Sequence, residues 1–262
     1  RRLNGGSVAF PSTPCLIHNV SGLETAGSGL GILAERLAES VKSRPDIKVW
    51  NLSLGVKKGC ADQTFSEFTC KLDELSDQYG ILFVVAAGNY LDSPRRQWPD
   101  PPFLNDRVSA PGDSVRALTV GSITHLGTAN TLVGSGEPAP YSRRGPGPVF
   151  TPKPDVVHFG GGVHHPWSVG PASTKVIRPS NTVGETFGTS FAAPIVSSMA
   201  AHAWQALEGH PQIRPTPSLV KALIIHSAQL SNREFTTTER RYFGSGLPQD
   251  VLTALYDRDD SF

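Results

Sequence analysis

Apolar positions along the chain fall into two patterns: short unbroken runs, and longer stretches recurring near every third or fourth residue. Cys15-Leu16-Ile17-His18-Asn19-Val20 is a short run closed by Ser21-Gly22 and predicts a buried strand. Leu30, Leu33, Ala34, Leu37, Ala38 and Val41 then take the spacing of an amphipathic helix. A second strand is expected over Lys48 to Leu54, stopped by Gly55, and a second helix over Phe65 to Tyr79. Ile81 to Ala87 is the most apolar run in the chain and ends at Gly88-Asn89. Strand, helix, strand, helix, strand implies an α/β fold: a parallel, doubly wound sheet with right-handed crossovers and helices on both faces. Further strands are expected over Ala117 to Ile123 and around Asp155-Val156-Val157, and helices over Ser190 to Ala206 and Ser218 to Ala228. Tyr90 to Val108 has no period and reads as a long loop; Gly134 to Gly184 is rich in glycine and proline. No repeat or linker divides the chain, so residues 1–262 are read as a single domain.

Composition narrows the partners. A formal net charge of +1 gives no reason to expect nucleic acid or an acidic membrane surface, and no run nears the roughly 20 apolar residues a bilayer demands. The Arg1-Arg2-Leu3 terminus carries no signal-peptide pattern and reads as a cut end. Of three cysteines, Cys60 and Cys70 are candidates for a disulfide, while Cys15 sits in an apolar run and reads as a small buried hydrophobe. Sparse cysteine favours a reducing, cytoplasmic compartment over secretion. The sequence does not indicate an oligomeric state.

Three segments carry chemistry. In Phe187-Gly188-Thr189-Ser190-Phe191-Ala192-Ala193-Pro194, two small residues precede a serine that opens a long apolar helix, with Pro194 expected in the first turn. A helix N-terminus presents unpaired N–H groups, so a serine there has a backbone donor beside its hydroxyl, as an acyl-transfer nucleophile requires. Taken alone, Ser190 reads as an N-cap, as most serines that precede helices do. In Val85-Ala86-Ala87-Gly88-Asn89, an asparagine follows a buried strand, at the sheet end where open α/β sheets bind ligands. Its amide can donate to a developing oxyanion; alone it is a turn residue. In Trp50-Asn51-Leu52-Ser53-Leu54-Gly55, a strand ends in small residues whose backbone is free to pair with an extended peptide.

In this order and combination the segments resemble the subtilisin-like serine proteases. Gly188-Thr189-Ser190-Phe191-Ala192-Ala193-Pro194 is similar to that family's G-T-S-x-A-A-P nucleophile segment, Ala86-Ala87-Gly88-Asn89 to its A-A-G-N oxyanion segment, and Asn51 to Gly55 to its N-x-S-x-G substrate-edge strand. Tyr141 to Pro146, Lys153-Pro154-Asp155, Val220 to Ile224 and Tyr242 to Gly246 add to the likeness, which runs from about Pro14 to Pro248. The resemblance implies a serine endopeptidase acting on peptide or protein substrates, with Ser190 as nucleophile and Asn89 as side-chain oxyanion donor. It also implies Ser53, Leu54 and Gly55 on one side of the substrate groove, and Ala87 and Gly88 bordering the pocket for the residue before the cleaved bond.

The family's aspartate and histidine segments, D-S/T-G and H-G-T, do not occur. Asp113-Ser114-Val115 and His125-Leu126-Gly127-Thr128 are near misses that follow Asn89, against the family's Asp, His, Ser order, and read as loop residues. His18 reads as a packed strand residue. Both partners of Ser190 are therefore expected upstream of Arg1, and a serine without its base is a poor nucleophile. The alternative is a pseudoprotease that keeps the fold to bind peptides. No metal site is carried over: the family's calcium loops are unmatched, and His164-His165 has no cysteine or carboxylate at ligand spacing. Gly27-Ser28-Gly29-Leu30-Gly31 fails the dinucleotide fingerprint at Ile32, and no G-x-S-x-G elbow of the α/β-hydrolases occurs.

Overall fold

A computed structural model describes residues 17–21, 29–95 and 104–249. Four strands, β1 (Val49–Leu52), β2 (Leu82–Ala86), β3 (Leu118–Ile123) and β4 (Val156–Phe159), form one parallel sheet in the order β1-β2-β3-β4. Their registers pair Leu52 with Val85, Val84 with Leu118, and Val120 with Val156. All residues of β2 and β3 are buried, as expected of strands covered on both faces.

Helices α1 (Leu30–Ser43) and α2 (Glu67–Tyr79) cover one face, where Leu33, Leu37, Phe68 and Leu72 meet Trp50, Phe83 and Val85. Helices α3 (Thr189–Glu208) and α4 (Pro217–Ser231) cover the other, where Ala192, Val196, Ala200 and Ile224 meet Leu82, Val84, Leu118 and Val120. Alternate residues of one strand thus serve two cores, and each fully buried Leu, Val or Phe contributes about 1.5–3 kcal/mol. Local chemistry sets the helix ends. The Ser66 side chain accepts from the Thr69 N–H, Gly80 stops α2 at φ +60°, and Thr216 accepts from the Leu219 N–H. Lys153-Pro154-Asp155 leads into β4. Asp155 accepts from the Thr119 N–H at 2.7 Å and pairs with Lys153 at 2.8 Å and Lys221 at 3.3 Å. Burial alone would raise the Asp155 pKa, but the two lysines outweigh it and hold the carboxyl below its ordinary value.

Several sequence expectations need correction. Residues 17–20 form no strand: Ile17 is 76% exposed, and the sheet ends at β1 with no further partner strand among the described residues. An apolar run without a paired neighbour leaves its backbone groups to water. His18 is accordingly exposed, its Nδ1 lying 2.7 Å from Arg44 Nη1. Cys60 and Cys70 are free thiols, and burial raises the Cys60 pKa to about 11. Residues 15–16, the Gly27-Ser28 stretch and the centre of the long loop lie outside the described residues. A hairpin of β5 (Thr174–Ile177) and β6 (Val183–Thr186), and helix α5 (Thr237–Phe243) with its Thr236/Glu239 capping box, were not foreseen. No helix among the described residues is long and apolar enough to cross a membrane.

Candidate active site

The carboxyl end of β2 runs through buried Ala87 into Gly88, which turns at φ +98°, a conformation that favours glycine. Asn89 follows, held by its neighbours: Arg143 N donates to the Gly88 carbonyl at 3.1 Å and Tyr90 N to the Tyr141 carbonyl at 2.7 Å. Opposite, Gly188 donates its N–H to the Gly160 carbonyl and delivers the chain into α3.

These two turns meet. Asn89 Oδ1 accepts from the Thr189 N–H at 3.0 Å and the Thr189 hydroxyl at 3.1 Å. A backbone N–H can only donate, so the atom facing it is the amide oxygen, and Nδ2 is left as the free end of the carboxamide. A Cβ on Gly188 would stand 3.3 Å from that Nδ2. In the first turn of α3 the Thr189 N–H goes to Asn89 and the Phe191 N–H to the Gly188 carbonyl, while the Ser190 N–H has no partner among the described residues. A carbonyl oxygen set between Asn89 Nδ2 and the Ser190 N–H would receive two hydrogen bonds.

Ser190 is half-buried and its hydroxyl donates to the Ser53 carbonyl at 3.1 Å. Two turns further along α3, the Ser197 hydroxyl donates to Asn51 Oδ1 at 3.0 Å. One face of the helix is thereby fastened to β1 and its extension through Ser53, Leu54 and Gly55. Pro194 lies inside α3, in its second turn rather than the first as expected, and its missing N–H removes the helical bond to the Ser190 carbonyl. Gly55 faces Gly88 across a narrow gap: a Cβ on Gly55 would lie 4.0 Å from Gly88 Cα. All seven site residues singled out from the sequence therefore gather at the carboxyl end of β1 and β2 and the start of α3.

The near misses lie elsewhere in the fold. Asp113 is buried and accepts from the Thr69 hydroxyl at 2.7 Å, its pKa raised by burial. His125 packs its ring against Phe159, and burial lowers its pKa. His164 Nε2 accepts from the Ala172 N–H at 3.1 Å. Among the described residues no imidazole is hydrogen-bonded to Ser190.

Sequence reasoning missed two supporting residues. Thr189 was read only as part of a segment, and its hold on Asn89 needs the two turns to meet in space. Arg143 was read only as a family likeness. It is buried, and it sends Nε to the Asn89 carbonyl at 3.3 Å, Nη1 to the carbonyls of Arg107 at 2.9 Å and Asn105, and Nη2 to that of Lys57.

The family model of the subtilases matches residues 16–246. The uncharacterized protein y4bN of Sinorhizobium fredii (strain NBRC 101917 / NGR234) is 29% identical over 216 residues, covering 70% of this chain and 48% of that protein. This chain thus spans about half the length of that curated relative. Among solved structures, the prenylagaramide maturation protease PagA superposes with a TM-score of 0.59 at 19% identity, covering 87% of this chain and 67% of that one. The patellamide maturation protease PatA does so with 0.58 at 20%, covering 86% and 70%. Both likenesses are of fold.

Proposed function

The chain belongs to the subtilase family, and on that premise we propose that it carries the nucleophile and oxyanion hole of a serine endopeptidase. Ser190 Oγ attacks the peptide carbonyl carbon and gives up its proton to a base. The carbonyl oxygen, now negative, is held by Asn89 Nδ2 and the Ser190 N–H. Collapse breaks the C–N bond, the amine leaves with the proton, and water then releases the acyl group from Ser190. The substrate lies extended along Ser53 to Gly55, adding a strand to the edge of β1.

The observation that carries this reading is the double hydrogen bond from Thr189 to Asn89 Oδ1, which orients the amide beside a Ser190 N–H that has no partner among the described residues. A capping serine has no use for such an arrangement. The Ser190 hydroxyl is bonded to a carbonyl and not to an imidazole. The base and its acid are therefore assigned to sequence beyond these 262 residues, and this chain by itself is inactive. Peptide hydrolysis by the full-length protein, lost in Ser190→Ala and absent from the 262-residue chain, is the expected pattern. Ser190-dependent turnover by the 262-residue chain would overturn the assignment of the base. The same hydroxyl-to-carbonyl bond favours a second reading, a peptide-binding pseudoprotease, and a full-length protein that binds peptides without cleaving them would establish that instead.

A further inference from the structure

Beneath the two glycine walls the chain crosses a third time. Ser109 N donates to the Ala87 carbonyl at 3.1 Å, Val56 N to the Ala110 carbonyl at 3.1 Å and Cys60 N to the Val108 carbonyl at 2.8 Å. Residues 108–110 are thus stitched to the segment after Gly55 on one side and to the segment before Gly88 on the other. This places the Ser109 side chain between the walls. Its Oγ would collide with a Cβ on Gly88 and stand 3.0 Å from one on Gly55. Arg143 Cδ closes the same space, 2.9 Å from where a Cβ on Gly88 would stand. Ser109 is fully buried, and its hydroxyl has no hydrogen-bond partner among the described residues. Natural proteins seldom leave a buried hydroxyl unpartnered, and such groups call for an explanation.

We propose that Ser109 is the specificity-determining residue of this site, restricting the residue before the cleaved bond to glycine, alanine or serine. The inference rests on the protease reading above and adds the substrate class to it. A leucine or phenylalanine side chain would have to enter between Gly55 and Gly88, where the Ser109 hydroxymethyl and the Arg143 stem already stand. Arg143 is held by its side-chain hydrogen bonds and Ser109 stands on a buried, hydrogen-bonded backbone, so a large side chain would overfill a packed site, which is unfavourable. A small side chain stops at the rim and needs no displacement. A serine at that position also brings a hydroxyl toward the unpartnered Ser109 Oγ, which a purely apolar residue cannot do.

Isothermal calorimetry on the full-length protein tests this with N-acetyl-Ala-Ala-Pro peptide aldehydes ending in alanine, leucine or phenylalanine, so that no turnover is needed. The alanine aldehyde is expected to bind at least tenfold tighter than the phenylalanine aldehyde. Ser109→Gly, which empties the space between the walls, should narrow that ratio at least tenfold, and Ser109→Ala, which keeps Cβ, should change it less. Phenylalanine binding as tightly as alanine to the wild-type protein overturns the proposal, as does an unchanged ratio in a folded Ser109→Gly variant. The wild-type ratio decides the steric claim even if the glycine variant does not fold. Ser190→Ala separates the two levels of the argument: aldehydes that bind equally with and without the Ser190 hydroxyl, or not at all, refute the protease reading along with this one.

Discussion

Asn89 Oδ1 receives both hydrogen bonds that Thr189 can send, from its backbone N–H at 3.0 Å and its hydroxyl at 3.1 Å. The amide is thereby fixed before any substrate arrives, and preorganised donors of this kind need no rearrangement as charge develops. Asn89→Leu in the full-length protein should lower kcat by about 10²–10³, the size found when such a donor is removed from a subtilisin, with little change in KM. Thr189→Val keeps the N–H and loses only the hydroxyl bond, so kcat should fall by about fivefold to tenfold. Steady-state kinetics checks both. Equal kcat losses in the two variants would mean that Thr189 acts by some route other than orienting the amide.

Arg143 joins the Asn89 carbonyl to those of Lys57, Asn105 and Arg107, tying three loops together under the site. Arg143→Met keeps the stem and leaves these acceptors without their donor. A buried group deprived of its partner costs about 1–3 kcal/mol, so unfolding in urea should show a loss of roughly 2–4 kcal/mol. Arg143→Lys, with one ammonium for a planar fork, should recover only part of it. A loss below about 0.5 kcal/mol, the size of an ordinary surface change, would show that the carbonyls find other partners.

His158 lies in β4 with its Nδ1 accepting from the Phe159 N–H at 2.8 Å. Burial lowers its pKa from 6.5 to about 3. The unfolded chain therefore takes up a proton below pH 6.5 that the folded chain refuses, and stability is lost as pH falls through the interval from 6.5 toward 3. At about 1.4 kcal/mol per pH unit, moving from pH 7 to pH 5 should remove about 2 kcal/mol. His158→Asn, which cannot titrate, should flatten that slope in denaturant titrations at the two pH values. An identical slope in the variant would place the titration elsewhere.

The alternation of apolar runs and helical stretches made the parallel sheet and its two helical faces legible, because a buried strand such as Leu82–Ala86 needs no polar residue. The hairpin of β5 and β6 was not legible, since its half-exposed residues mix lysine, threonine and glutamate with valine and leave no apolar run to read. Cys15 to Val20 misled in the opposite direction. Its composition suits a strand, yet residues 17–20 have no neighbour to pair with among the described residues. The seven candidate residues were picked out through short segments that resemble a family's motifs, and it is the fold that brings those segments to one end of the sheet. Ser109 could not be picked out in this way: nothing local to Val108-Ser109-Ala110 says that it will cross under two glycines brought together from distant parts of the chain.

The central claim is that Asn89 and Ser190 converge on one oxygen atom. A crystal structure of the full-length protein with a peptide aldehyde bound measures this directly. The account predicts a covalent bond from Ser190 Oγ to the aldehyde carbon, with the resulting oxygen about 2.7–3.1 Å from both Asn89 Nδ2 and the Ser190 backbone nitrogen. An adduct whose oxygen turns away from Asn89, or an aldehyde bound to a different residue, would contradict it.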